Sequence, residues 1–275
     1  MRLIAFIFAI LLVAARAVNT IETDFTCPMD GAHWKQTTET SAHVAVMRLD
    51  RREIGDVTDP RTLPQCPKCR FVMFLSDWAD IQPLADRLRP FIRGAEYQMI
   101  AAKRPTYFCL AQIQEFLKAP PLYIGQSYLR AAWQVEENET MSARYLAFAL
   151  TQFTKAAATM EPSHKEYANT LLLCGELERR LGQWAAAENR FLDYQAAEPF
   201  RAPNHQTVIA LQLQLIAAHD SKPHLLEGKA PAAVEMPHLS LSSVVPTKDA
   251  ALLTEPKPIS IKLAPKPKSK LLGSP

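Results

Sequence analysis

The sequence predicts a mainly α protein in which antiparallel helical hairpins follow a small β-rich N-terminal head and precede a disordered C-terminal tail. Three observations carry this. Apolar residues recur at three- and four-residue spacing through residues 83–220. Two Cys-Pro turns, Cys27-Pro28 and Cys66-Pro67, bracket a stretch with partial strand-like alternation. Residues 221–275 hold nine Pro and eight Lys but no aromatic residue, so that segment lacks the means to bury a core. With 275 residues, 48% of them hydrophobic, the chain can fold into one or two ordinary domains.

Residues 1–17 read as an export signal: Arg2 supplies the positive start, Leu3 to Val13 is uninterrupted apolar, and Ala15-Arg16-Ala17 has the form of a cleavage site. The mature chain would then begin at Val18, in the periplasm or outside the cell. About thirteen apolar residues fall short of the roughly twenty that a membrane-spanning helix needs. Export sets how the cysteines are read. Cys27, Cys66, Cys69, Cys109 and Cys174 make an odd number in a compartment that favours disulfides, so at least one must stay free, bind metal or pair between chains.

The head spans residues 18–82. His43 to Leu49 and Phe71 to Leu75 suit short strands, and Asp50 to Pro60, with its charge, Gly and Pro, suits a polar loop between them. Cys66-Pro67-Lys68-Cys69 carries the two-residue spacing by which a tight turn supplies half of a tetrahedral zinc site. Cys27-Pro28-Met29-Asp30-Gly31 repeats the spacing with Asp30 in place of the second thiol, and Gly31 sits where the turn needs backbone freedom. Cys27, Asp30, Cys66 and Cys69 are therefore the candidate metal ligands, with zinc the candidate ion and His33 an alternative fourth ligand. A disulfide between Cys66 and Cys69 is the competing outcome. Its catalytic form normally opens a helix, whereas Arg70-Phe71-Val72-Met73-Phe74 reads as strand.

From Gln82 the pattern is helical. Pro90 suits a first helical turn, followed by Ile92, Ala95, Met99 and Ala102 on one face; Tyr107, Leu110, Gln114 and Leu117 repeat the spacing up to Pro120-Pro121. Helices are expected over 122–137 and 142–159, the second stopped by Pro162. Within Ala168 to Pro199, Gly175, Gly182, Trp184, Ala187, Phe191 and Pro199 fall at offsets that resemble a tetratricopeptide repeat. Gly175 and Ala187 are small where two helices meet, and Phe191 fills the groove between them. Glu178 and Tyr194 depart from that pattern. Pro121 to Pro162 reads as a degenerate earlier copy lengthened at residues 136–140, and a last helix over 204–219 would cap the stack.

Other chemistry finds little support. Eight Gly with no Gly-rich loop argue against a nucleotide-phosphate cradle, and 31 basic against 28 acidic residues give no strong pull toward nucleic acid. Cys109 and Cys174 sit among apolar residues as core cysteines. Glu136, Glu137 and Glu139 read as a solvated helix end, and Trp133 and Trp184 as packing residues.

Phe25 to Gly31, Cys66 to Cys69, Tyr128 to Trp133 and Ala168 to Pro199 together resemble a bacterial family of unknown function with a zinc-ribbon-like head and a tetratricopeptide-like body. Arg70, where Gly often follows the second turn, and the export signal are departures from it. The resemblance implies a fold and no activity. The expectation is an exported, non-enzymatic interaction module with a structural metal-binding head and no catalytic residues. A protein or peptide partner would lie in the helical groove, and the basic tail would meet anionic envelope polymers or lipid. The alternatives are a thiol-disulfide oxidoreductase using Cys66 and Cys69, and a protein that delivers or senses metal.

Overall fold

Thr-rich, alternating sequence on both sides of the first Cys-Pro turn makes a hairpin. Strand β1 (Thr20–Thr26) pairs antiparallel with β2 (His33–Glu39), from Thr20 opposite Glu39 to Thr26 opposite His33 at the turn. Phe25 stacks on Trp34 across the pair, with ring centroids 5.3 Å apart. A second antiparallel hairpin joins β3 (Val44–Met47) to β4 (Glu53–Gly55), with a bulge between Val44 and Val46. The structure, a computed structural model, describes residues 20–39, 44–56, 59–74, 82–197 and 202–226. The expected export signal, Leu75, Pro199 and residues 227–275 lie outside the described residues.

Three expectations for the head need correction. The strands β1 and β2 carry the first turn, although the sequence reading left both unassigned. Asp50 to Pro60 is no plain polar loop, since it contains β4 and begins at the buried Asp50. Phe71 to Phe74 forms no regular strand: Val72 makes an isolated bridge with Gln65, and Phe71 and Val72 are fully buried. Their apolar run reflects burial on all sides, which periodicity alone does not separate from a strand.

Among the described residues eight helices follow: α1 (Gln82–Arg93), α2 (Ala95–Ala101), α3 (Thr106–Phe116), α4 (Pro121–Gln134), α5 (Glu139–Thr159), α6 (Tyr167–Arg180), α7 (Trp184–Ala196) and α8 (Pro203–Ala217). Pro90 lies inside α1 rather than in a first turn, and Gly94, in extended conformation, separates α1 from α2. From α3 onward, each helix packs on its neighbours in sequence, as short connections require. At Gly175 on α6 an added Cβ would lie 2.4 Å from the Phe191 ring on α7, and at Gly125 on α4 it would lie 2.9 Å from the Phe153 ring on α5. Each hairpin thus closes by setting a Phe directly onto a glycine. Glu178 and Tyr194, the two departures from the repeat pattern, are coupled: Arg190 donates to both Glu178 oxygens at 2.6 and 2.5 Å and to the Tyr194 hydroxyl at 2.8 Å.

One hydrophobic core runs from Cys27, Met29 and Phe71 in the head through Leu88 and Ile113 to Phe153 and Leu177. A smaller one lies between α6, α7 and α8 around Leu172, Phe191 and Ile209. A buried ionic network docks the β3–β4 hairpin. Asp50 accepts from Arg48 at 2.7 and 3.1 Å, from the Trp133 indole at 3.0 Å and from Arg180 at 3.1 Å. Glu136 pairs with Arg48 at 2.7 Å and Arg52 at 2.5 Å, so it is a network member and not the solvated helix end expected of it.

Residues 224–226, which composition assigns to the tail, are anchored on the head. Leu49 N–H donates to His224 O and Leu226 N–H to Met47 O, so residues 224–226 run along β3. The fully buried Arg179 fixes their approach by donating to Asp220 O and Lys222 O while it pairs with Glu176. Among the described residues no helix is long and apolar enough to cross a membrane.

Candidate metal centre

The two Cys-Pro turns are the same structure built twice. In the first, Gly31 N–H donates to Cys27 O at 2.8 Å and Cys27 N–H to Ala32 O at 2.8 Å. In the second, Arg70 N–H donates to Cys66 O at 2.9 Å and Cys66 N–H to Phe71 O at 2.9 Å. The fifth residue of each takes a left-handed backbone, Gly31 at φ 71° and Arg70 at φ 61°. Glycine adopts that conformation freely; arginine pays about 1 kcal/mol for it. The Arg70 carbonyl, held by the Gln65 amide and the Tyr97 hydroxyl at 3.0 Å each, keeps the second turn in shape.

This symmetry places Asp30 where the other turn has Cys69. The Ala32 N–H donates to Asp30 Oδ1 at 3.0 Å, just as the Phe71 N–H reaches the Cys69 sulfur. Backbone N–H groups two and three residues on also reach the sulfurs of Cys27 and Cys66. Such bonds stabilise thiolates and aim them at a common point.

That point exists. One ligand atom each from Cys27, Asp30, Cys66 and Cys69 lies within 4.8 Å of all the others. The Cys27 and Cys69 sulfurs are 3.4 Å apart, and Cys66 Sγ is 3.7 and 3.8 Å from the Asp30 oxygens. A tetrahedral zinc ion with bonds of about 2.3 Å to sulfur has ligand atoms about 3.7 Å apart. The donor set and its dimensions therefore fit a tetrahedral ion. The three thiols are buried, and all five cysteines are unbridged.

His33, the alternative ligand, is not part of the group. It sits on β2, and its Nδ1 bonds Thr26 Oγ1 at 2.9 Å across the hairpin. The reason is register: the turn is closed by Ala32, and the residue after it already belongs to the strand.

Electrostatics mark the cluster as short of positive charge. The Cys69 hydrogen bond brings the Cys27 thiol down to about 7, while that same contact pushes the Cys69 thiol far up. Burial raises Cys66. Burial also opposes ionisation of Asp30, but the Ala32 N–H and the three thiols outweigh it and its carboxyl falls below the ordinary value. One proton is thus shared between two sulfurs that a cation would leave bare. Behind the site, Arg89 on α1 donates to Met29 O at 2.9 Å, and Gln98 on α2 donates to Cys69 O at 2.7 Å. Cys109 and Cys174 are elsewhere in the core, and burial pushes them up to about 12 and about 11.

Residues 27–212 match the family described as uncharacterized protein conserved in bacteria (DUF2225). That stretch covers more than half of the chain and runs from the first cysteine of the centre to Gln212 on α8. The chain belongs to this family. No curated protein and no solved structure matches it. The family match thus spans both turns, the ionic network and helices α1 to α7, and its description names no activity.

Sequence reading identified the four clustered residues because their spacing is local. It missed Arg89, Gln98 and Tyr97, which act through backbone carbonyls and leave no pattern. It also missed Asp50, whose signal was the alternation Arg48, Asp50, Arg52 on what reads as a loop.

Proposed function

We propose that this protein is a non-enzymatic interaction module whose head is built around one structural zinc ion. The observation that carries the reading is the twofold repetition of the Cys-Pro turn, with Asp30 held by the same N–H that serves a sulfur in the other copy. Cys27, Asp30, Cys66 and Cys69 would hold the ion, which supplies the charge the cluster lacks and closes the head over α1 and α2. A closed set of four ligands leaves no position for substrate, in keeping with a structural role.

The helical body would be the binding part. Gly125 under Phe153 and Gly175 under Phe191 support a tetratricopeptide-like stack, which lines a concave groove with the first helix of each pair. Export through residues 1–17 and tethering by the basic tail complete the proposal and rest on composition. Capture of partners from an envelope extract by the full chain tests the groove: a Leu122→Glu variant should lose them, and equal capture would contradict the reading.

A second reading follows from the 3.4 Å contact between Cys27 and Cys69, since two sulfurs that close can be oxidised to a disulfide. Metal content and free-thiol count on the purified protein separate the two. One zinc per chain with three protected thiols supports the structural site, and a metal-free protein with a head disulfide supports the thiol-disulfide reading.

A further inference from the structure

A partner in the helical groove would lie between α4 and α6, the first helices of two successive hairpins. That position is already taken by the head. The turn between β3 and β4, residues 48–52, reaches both helices, and the space left beside Arg51 is about 30 Å³, room for about one water molecule. Leu122, Leu129, Leu173 and Glu166 line it, and Glu166 attracts the Arg51 guanidinium.

The helices meet this turn with charges in a fixed order. The Trp133 indole N–H on α4 and the guanidinium of Arg180, the last residue of α6, converge on one oxygen, Asp50 Oδ2, at 3.0 and 3.1 Å. Both donors are nearly buried, Trp133 at 5% and the Arg180 side chain at 8% exposure. Glu136, just beyond α4, takes Arg48 at 2.7 Å and Arg52 at 2.5 Å, the cations two residues to either side of that carboxylate. The helices thus present a site for one carboxylate flanked by cations, and Arg48-Leu49-Asp50-Arg51-Arg52 fills it. The hold is polar: among the described residues none from 44 to 56 belongs to either hydrophobic core. A segment with few apolar contacts opens more readily than the core around it, and a second chain with the same order of charges can take its place. Opening returns Arg48, Asp50 and Arg52 to water together, whereas deleting one of them strands the others.

We propose that the β3–β4 turn is an intramolecular ligand that holds the α4–α6 groove closed, and that the partner displaces it with an acidic side chain, flanked by basic residues, in the place of Asp50. The inference rests on the groove reading above and names its regulation and the partner's chemistry. Closure within the chain weakens the partner's binding in proportion to the fraction of molecules whose groove is shut.

The test uses the full chain and, as probe, a dye-labelled peptide of residues 44–55 with blocked ends. Asp50→Asn keeps the shape of the turn and weakens its hold. Fluorescence anisotropy should show the peptide binding this variant about tenfold or more tightly than the unaltered chain, whose own turn competes at high effective concentration. The same peptide with Asp50→Asn should bind the variant about tenfold more weakly, and Arg180→Gln added to the variant should abolish binding. In the unaltered chain, hydrogen exchange read by mass spectrometry should open amides 48–52 about a hundredfold faster than those of α4 and α6. Peptide binding that is absent, or equal for the variant and the unaltered chain, overturns the proposal. Equal binding of the Asp and Asn peptides overturns the acidic side chain. Exchange of the turn only together with α4 and α6 overturns the proposal as well, and decides it if Asp50→Asn fails to fold. Failure of the peptide test while Leu122→Glu still loses envelope capture removes the self-occupied groove alone; peptide binding as expected with capture indifferent to Leu122→Glu removes the groove reading and, with it, the partner assigned here.

Discussion

Asp30 and Arg70 are the two residues in which the paired turns differ from each other, and each makes a distinct claim. Asp30 supplies oxygen where the other turn supplies sulfur. Asp30→Cys should therefore bind zinc more tightly, and Asp30→Ala more weakly by about tenfold or more, read by competition with a chelator of known affinity. Arg70 carries a left-handed φ without the residue type that suits it. Arg70→Gly should stabilise the protein by up to about 1 kcal/mol, whereas Gly31→Ala, at φ 71°, should cost about 1–2 kcal/mol in urea unfolding. Titration distinguishes the cysteines. In the metal-free protein one thiolate should appear in the ultraviolet near pH 7, from Cys27, while Cys109 and Cys174, at about 12 and about 11, stay silent at pH 8. Protons compete for the raised sulfurs of Cys66 and Cys69, so bound metal should be lost as pH falls and regained as it rises. The four clustered residues were legible because a two-residue spacing on a Pro-initiated turn is a local signal. The choice of Asp30 over His33 was not, since it depends on where β2 begins.

At the scale of elements, helix packing was legible where glycine and a large aromatic fall in register. Gly175→Ala would place a methyl group 2.4 Å from the Phe191 ring on the facing helix. The variant should lose about 1–3 kcal/mol by thermal or denaturant unfolding, and Phe191→Leu in the same chain should restore part of the loss. The buried turn between β3 and β4, residues 48–52, was illegible for the opposite reason. Its residues are charged, and charge usually signals solvent, yet here Arg48 and Asp50 are buried against Trp133 and Arg180. Breaking one partner of such a network strands the others. Asp50→Ala should cost about 3–5 kcal/mol, far beyond a surface substitution, and should release the hairpin to faster amide exchange. Sequence separation explains the failure: Asp50 meets Arg180 from 130 residues away. The same distance hides the return of residues 224–226 along β3, because a tail poor in aromatic residues gives no hint of an anchored start.

For the whole molecule, the core that begins at Cys27 and Phe71 continues into the helices, so the candidate metal centre and the helical body share one packing unit. On the proposed structural role, removing the ion should loosen α1 and α2, which hold the turns through Arg89 and Gln98, before α6 and α7. The mainly α class and the small β head before it could be read from composition and period, because each is a property of long windows. The seating of the head on the helices could not, since backbone carbonyls of the turns receive the bonds. The central claim is that Cys27, Asp30, Cys66 and Cys69 close on a single ion. Native mass spectrometry of the full chain, with metal analysis and alkylation of accessible thiols, tests it most directly. One zinc per chain, lost together in Cys27→Ser and Cys66→Ser variants, with Cys27, Cys66 and Cys69 protected until chelator is added, is the predicted result. A metal-free chain with a Cys27–Cys69 or Cys66–Cys69 disulfide would contradict it.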